Sequence, residues 1–279
     1  MPEGDTLHRI AAGLRPYLVG RAVVAARAHV PGPQVGRLVG GSITAVEALG
    51  KNLLIRFDNG LELRTHLRLH GSWHRYRPGE RWRRPAARAS LVLEVPGAVA
   101  VCFDAPVVEL FERRAEALNP ALGGLGPDLL DPAFDAAEAL RRLRDPAQAS
   151  LSIAEALLDQ RALAGIGNVY RNEVLWIERL SPFAAVGELD DATLERLVAT
   201  ARRLLVANVG TRPAGRQGRR RPERVTTDGD RRAAGEPLWV YRRAGRPCRR
   251  CRNPIRSARH GRDLPRTTYW CPICQGGEP

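Results

Sequence analysis

The hydrophobic period changes along the chain. Residues 5–18 place Leu7, Ile10, Ala11 and Leu14 at the i, i+3, i+4, i+7 spacing of an amphipathic helix, with Asp5 positioned to cap it. From residue 20 to about 112 the apolar runs shorten to Val23-Val24, Leu53-Leu54-Ile55, Leu61–Leu69, Ser90–Val95 and Ala98–Phe103, broken by Asp58-Asn59-Gly60 and Pro96-Gly97. Short strands at such spacing predict a sandwich or barrel. Within Leu61–Leu69 the alternation is strict. Leu61, Leu63, Thr65, Leu67 and Leu69 share one face, and Glu62, Arg64, His66, Arg68 and His70 share the other. The second, basic and histidine-bearing face suits a phosphate or base surface, with a plain solvated face as the alternative, and His66 alone reads as a solvated residue.

A Gly/Pro-rich connection, Gly123-Gly124-Leu125-Gly126-Pro127, marks a domain boundary. Helical periods follow. One helix is predicted over 150–163, and Ala164-Gly165-Ile166-Gly167 breaks it. Asn168 caps a second, in which Tyr170, Val174 and Ile177 share a face. A third runs from about Asp190 to Asn208. The amides at the capped N-terminus are a ready phosphate site. Residues 211–236 are rich in Arg, Gly and Pro and predict a mobile basic linker that orders on nucleic acid.

Charge narrows the partner. The formal net charge is +14 with an isoelectric point near 10.8, which points to DNA, RNA or an anionic membrane. No apolar run approaches the ~20 residues that span a bilayer, and no signal peptide is visible, so a reducing cytosolic compartment is expected. Of the 44 basic residues one is a lysine, Lys51, the residue type among them that gives up a proton readily. Four of the five cysteines form Cys248-x2-Cys251 and Cys271-x2-Cys274. This pattern predicts a closed, structural four-thiolate zinc site on a β-hairpin, with two disulfides as the alternative that the compartment disfavours. Cys102 lies in an apolar run and is predicted to be a buried thiol. Met1-Pro2-Glu3 opens the chain. Removal of Met1 would leave the secondary amine of Pro2 free to attack a carbonyl carbon, with the Glu3 carboxyl one residue away. Its place just before a helix N-terminus lowers its pKa further, because the helix dipole disfavours a protonated amine there.

Pro2-Glu3, the lone Lys51, the helical hairpin around Asn168 and the four-cysteine hairpin together resemble the formamidopyrimidine-DNA glycosylase/endonuclease VIII family. The likeness rests on Met1-Pro-Glu-Gly, Gly50-Lys51-Asn-Leu-Leu, Gly126-Pro-Asp-Leu-Leu-Asp131, the run from Leu158 to Tyr170, and Tyr269-Trp-Cys-Pro-Ile-Cys-Gln275. It implies an α+β, multidomain fold. An N-terminal β-sandwich with a leading helix spans 1–115 and a linker 116–132. A helical helix–two-turn–helix domain spans 133–237, and a zinc-finger hairpin 238–279. It implies a monomeric, bifunctional DNA glycosylase/AP lyase acting on double-stranded DNA with damaged bases or abasic sites, in the cytoplasm at the nucleoid, with one structural zinc. The family roles fall on Pro2 as Schiff-base nucleophile, Glu3 as general acid at the sugar and Lys51 as proton-transfer residue beside the backbone phosphate. Asn168 becomes a phosphate ligand, and Arg266 the finger arginine tied to phosphate clamping and the second elimination. Cys248, Cys251, Cys271 and Cys274 would hold the metal.

Three positions depart from the family pattern. Thr6 replaces an auxiliary glutamate, Gly124 replaces a DNA-contacting arginine, and Arg68 replaces a glutamine of the void-filling segment. Arg68, Leu69 and His70 are assigned by position to fill the gap left by a flipped base. Met-Pro-Glu-Gly and the Tyr-Trp-Cys-Pro-x-Cys-Gln ending favour the endonuclease VIII branch and oxidised pyrimidines. Asp104-Ala105-Pro106-Val107 lacks the corresponding formamidopyrimidine-branch segment. The alternatives are a non-enzymatic zinc-finger DNA-binding protein, an RNA-binding zinc ribbon, and the same chemistry with oxidised-purine preference.

Overall fold

The computed structural model describes residues 2–209, 238–262 and 265–277; the basic stretch 211–236 lies outside the described residues. The chain divides into two compact units, Met1–Gly124 and Leu125–Pro279.

The first unit is a β-sandwich led by a helix. Helix α1 (Gly4–Leu18) precedes β1 (Ala25–Ala28), β2 (Ile43–Leu49), β3 (Asn52–Phe57), β4 (Leu61–His66), β5 (Ser72–Tyr76), β6 (Ala89–Val95), β7 (Ala98–Phe103) and β8 (Val107–Glu112). The strands form two antiparallel sheets, ordered β1-β6-β7-β5 and β2-β3-β4-β8. Between them lies one core. Leu7, Leu14 and Leu18 of α1 pack with Leu53 and Ile55 of β3, Leu63 of β4 and Leu91 and Leu93 of β6. β7 is buried on both faces: Ala98, Ala100 and Cys102 point to that core, whereas Val99, Val101 and Phe103 form a smaller cluster with Tyr76 under Trp82. The Cys102 thiol is fully buried, and burial raises its pKa well above the ordinary value.

The alternating strand needs correction. It ends at His66, and its polar face is not solvated: Glu62 and Arg64 are buried. Flanking strands supply ion partners that a single strand pattern does not reveal. Arg56 of β3 reaches Glu62, Glu47 of β2, and Glu116 of a 3₁₀ turn over 113–118. Arg64 reaches Glu109 of β8 at 2.7 Å. Buried charge is tolerated here because it is paired. Asp5 does not cap α1 either. Glu3 is the N-cap, and Asp5 sits buried in the first turn with Arg9 at 3.1 Å.

The second unit holds α2 (Ala136–Leu143), α3 (Ile153–Ala156), α4 (Asn168–Ile177), α5 (Asp191–Val209), the hairpin β9 (Arg256–His260) and β10 (Arg266–Trp270), and a final turn α6 (Pro272–Gln275). The helix expected over 150–163 is four residues long. A Ser152/Glu155 capping box starts it, and residues 157–163 continue as turns closed by bonds such as Leu163 N–H to the Asp159 carbonyl at 3.0 Å. Apolar residues of α2, α3, α4 and α5 share one core, including Leu143, Ile153, Val174, Leu197 and Leu204. Gly126 has a packing cause. A Cβ there would lie 2.5 Å from the main-chain oxygens of both Arg161 and Ala162, so the chain entering this unit passes too close for any other residue. Gly126→Ala is therefore expected to destabilise this unit by about 1–3 kcal/mol, the range for forced overpacking, measurable as a lower urea midpoint.

Candidate active site and nucleic-acid interface

In the first unit, strand register collects the candidate residues at one end of the sandwich. The two-residue turn Gly50-Lys51 joins β2 to β3, and Asn52 pairs with His66, the last residue of β4. Val107, which opens β8, also pairs with His66. The Arg68–His70 loop leaves from this same end. Helix α1 points there too. Its C-terminal side is bonded to the start of β2 through Gly20 N–H to Ile43 O at 2.8 Å, and Arg15 donates to Val46 O at 2.9 Å. The helix thus runs antiparallel to β2, and its N-terminus heads toward the Lys51 turn. Pro2 is part-exposed just ahead of it, and Glu3 is fully buried, its carbonyl accepting from Thr6 and Leu7 N–H.

The Lys51 turn is braced from below. The Asn52 side chain donates to Leu49 O at 3.1 Å, closing the turn. Arg64 Nε donates to Asn52 Oδ1 at 2.9 Å. Next to it, the His66 Nδ1 accepts the Arg68 N–H at 3.1 Å. Burial first, then the charges of Arg68, Arg64 and Lys51, pulls His66 down to about 4. A neutral imidazole that accepts at Nδ1 carries its hydrogen on Nε2. His66 thus belongs to the Lys51 end and is not a solvated bystander; its burial comes from pairing with β3 and β8 on either side, which the pattern of a single strand does not reveal.

Arg68, Leu69 and His70 are all exposed, and Leu69 retains half its surface. Arg68 is held at φ 48°, a left-handed conformation uncommon outside glycine. Gly71 closes the loop by donating to Leu67 O at 2.9 Å, and a Cβ there would lie 2.6 Å from that oxygen. An apolar tip between two polar side chains on a tightly closed loop is a wedge in shape and chemistry.

In the second unit, α4 is the organising element. Gly167, not Asn168, is its N-cap. The Asn168 side chain instead donates to Thr267 O at 3.0 Å, beside Arg266, which is exposed at the start of β10. Three residues overlooked in the sequence extend this grip. Buried Arg171 donates to Thr268 Oγ1 at 2.9 Å and Asn172 Oδ1 accepts the Tyr269 N–H at 2.6 Å. Buried Glu173 accepts the main-chain N–H groups of Trp239, Val240 and Tyr241 at 2.6–3.0 Å. Burial raises the Glu173 pKa, and the three amides oppose that rise. The signal was there in outline: four polar residues in ten on a helix whose apolar face was assigned alone.

The four finger cysteines converge. Their Sγ atoms all lie within 4.8 Å of one another, with Cys251–Cys271 at 3.3 Å and Cys248–Cys274 at 3.9 Å. A tetrahedron with bonds of about 2.3 Å has sulfur–sulfur edges of about 3.8 Å, so the set could hold one metal ion. Burial opposes ionisation of Cys248, but the amides of Cys251 and Arg250 and the Trp176 indole outweigh it and lower its thiol to about 6. Burial pushes Cys271 up to about 12 and raises Cys274 as well, so it is the convergence of the four sulfurs that fits a metal ion. Among the described residues no helix is long and apolar enough to cross a membrane.

A sandwich with a leading helix, followed by a helical hairpin and a four-cysteine finger, defines a class. The formamidopyrimidine-DNA glycosylase N-terminal domain matches residues 1–106 and the formamidopyrimidine-DNA glycosylase H2TH domain matches residues 125–217. The chain belongs to the formamidopyrimidine-DNA glycosylase/endonuclease VIII family, and fits its endonuclease VIII-like branch. It is 41% identical to the probable endonuclease 8 2 of Streptomyces coelicolor over 280 residues, covering 99% of this chain and 95% of that one. It is 39% identical to the DNA-(apurinic or apyrimidinic site) lyase Nei2 of Mycolicibacterium smegmatis over 275 residues, covering 99% of each. The fold matches that of Lactococcus lactis Fpg in its complex with an abasic site containing DNA, at a TM-score of 0.79 and 20% identity over 99% of this chain and 100% of that one.

The His66 shift fixes a sign. Its folded pKa lies below the ordinary value near 6.5, so the unfolded chain takes up the proton first as pH falls. Stability is full above about pH 6.5 and is lost progressively down to about pH 4. His66→Gln should lose less stability than wild type between about pH 7 and about pH 5 in urea titrations; equal losses would show that His66 titrates normally.

Proposed function

We propose that the protein is a bifunctional DNA glycosylase and AP lyase of base-excision repair, preferring oxidised pyrimidines in double-stranded DNA. One observation carries the reading. The helix that begins at Pro2-Glu3 points toward the end of the sandwich that also bears Lys51 and the Arg68–His70 wedge. A protein that only binds DNA needs none of these at a common end. The names of the endonuclease 8 and AP lyase relatives support it.

The chemistry uses the chain's own groups. After Met1 is removed, the Pro2 amine has a reference pKa near ~8, and the positive end of the α1 dipole lowers it, leaving a lone pair at neutral pH. The lone pair attacks C1′ of the extruded nucleotide. The N-glycosidic bond breaks, and the base leaves with its electrons and takes up the proton that the Pro2 nitrogen gives up. Glu3 protonates the ring oxygen as the C1′–O4′ bond opens, giving an iminium ion. The iminium acidifies the C2′ proton. Its removal expels the 3′ phosphate, and a second elimination expels the 5′ phosphate. Water then hydrolyses the remaining adduct and frees the amine.

Lys51, on a turn held by Asn52, stands as the proton-transfer group beside the phosphate. Asn168 and Arg266 grip further phosphates. Arg68, Leu69 and His70 fill the stack once the nucleotide leaves it, offsetting an extrusion cost of a few kcal/mol. Cys248, Cys251, Cys271 and Cys274 hold one zinc ion, which supplies a structural cross-link only. The protein works as a monomer in the cytoplasm, at the nucleoid.

Borohydride should trap a covalent adduct between the wild-type protein and abasic-site DNA, and blocking the Pro2 amine with an uncleaved tag should abolish it while DNA affinity persists. No adduct with the untagged protein would leave only a DNA binder. Lys51→Arg keeps the charge and removes an accessible proton-transfer pKa, so excision should fall by at least the ~10²-fold typical of a lost acid–base group, with affinity nearly unchanged. For the metal, elemental analysis should give about one zinc per chain, and Cys248→Ser should lower that occupancy and unfold the finger.

A further inference from the structure

The connection from β5 to β6 carries five arginines and one glutamate in twelve residues, Arg77 to Arg88. Its course is fixed by aromatic packing. Trp82 stacks on Tyr76 with ring centroids 6.1 Å apart and meets the edge of Phe103 at 5.8 Å, and the Tyr76 hydroxyl accepts the Arg83 N–H at 3.1 Å. Strand register says where the segment goes. Ser72 and Ala89 both pair with Phe103, so β5 starts, β6 starts and β7 ends at one end of the sheet. That is the end at which the Arg68–His70 loop enters β5. The connection therefore leaves Tyr76 at the far end and returns along the outer face, bringing Arg83 to Arg88 beside the wedge.

Two of its arginines are pins. Arg84 Nη1 donates to Asp104 Oδ2 at 2.7 Å and reaches the His70 carbonyl at 3.5 Å, and Arg88 Nε donates to Asp104 Oδ1 at 2.8 Å. Asp104, the acid at this corner, is held at φ 53°. Against partial burial, Arg88 and Arg84 keep its pKa below the ordinary carboxylate value. The pins consume that negative charge and leave the rest of the segment cationic. Arg81 and Arg83 are exposed, with no carboxylate partner among the described residues. They stand on a backbone that Trp82 anchors from below.

A pair of exposed guanidinium groups flanking an anchored tryptophan, on a segment that runs toward the wedge, fits the most regular polyanion available, duplex DNA, with one charge per ~1.7 Å of axis. We propose that Arg81 and Arg83 bind backbone phosphates of the duplex flanking the extruded nucleotide, a DNA contact made by the β5–β6 connection and separate from Lys51, Asn168 and Arg266. The assignment rests on the function proposed above, because the wedge defines which stretch of duplex lies there.

The test is the salt dependence of binding. Dissociation constants for an undamaged duplex and for an abasic-site duplex are measured from low to moderate salt. The proteins are wild type, Arg81→Gln with Arg83→Gln, and a matched control, Arg37→Gln with Arg113→Gln. The control pair is exposed beside Asn59-Gly60, at the opposite end of the sandwich, and removes the same charge. Each lost phosphate contact lowers the slope of log K against log salt by about 0.9. The Arg81/Arg83 variant should therefore lose about 2 in slope and bind roughly tenfold or more weakly at 0.1 M salt, with an unchanged thermal midpoint. The control should match wild type in slope and in lyase activity. A slope for the Arg81/Arg83 variant equal to wild type, or a loss equal to that of the control, overturns the proposal. Borohydride trapping of the wild-type protein reports on the function independently: its failure would remove the lyase reading, while the slope on undamaged duplex would still decide whether these arginines bind phosphate.

Discussion

A nucleophile at the end of the main chain has no side-chain rotamers with which to aim itself. In the proposed chemistry the direction of the Pro2 amine is set wholly by the helix it precedes. That constraint explains why so much of the first unit serves α1. Leu7, Leu14 and Leu18 seat the helix in the core, and Arg15 fixes it against β2. Glu3, at its N-cap, is fully buried, which restricts the carboxyl assigned as the general acid in the proposed chemistry. Strand register then delivers Lys51 and the wedge to the end at which the helix points.

The second unit solves a different problem, which is to hold a small finger rigid with little core of its own. Arg171, Asn172 and Glu173 on α4 are nearly or fully buried, and their hydrogen bonds run to segments more than sixty residues away in sequence. Buried polar groups are costly unless satisfied, so such a network demands one arrangement and disfavours others. The four-cysteine cluster packs against the C-terminal end of the same helix, where the Trp176 indole donates to Cys248 Sγ at 3.4 Å.

Much of this was legible in the sequence, for physical reasons. The leading helix and the long helix over Asp191–Val209 declared themselves by period, and the cysteine spacing declared a four-sulfur cluster that could hold a metal ion. Pro2-Glu3 and Lys51 were conspicuous because their chemistry is unusual in an arginine-rich chain. The failures have separate physical causes. Glu62 and Arg64 were assigned to solvent because their partners, Arg56 and Glu109, sit on neighbouring strands, and pairing across strands leaves no periodic mark. Asn168 was assigned as a cap because it follows a glycine turn; its side chain turned instead to a carbonyl 99 residues away. The short helix at Ile153–Ala156 read as a long one because the turns after it bury leucines and alanines just as a helix would.

The grip of α4 on the finger has a consequence for how such a protein can change. Asn168, Asn172 and Glu173 hold Thr267, Tyr269 and Trp239 to Tyr241 by main-chain oxygens and amides, groups that almost every residue type offers. Much of the docking instruction is thus written on the helix, with buried Thr268 and Cys248 supplying the side-chain contacts from the finger. Outward positions such as Arg256, Arg259 and Arg266 can be exchanged without erasing it. Drift on the hairpin surface can retune its charge toward DNA, whereas a change at Glu173 would undo the attachment itself.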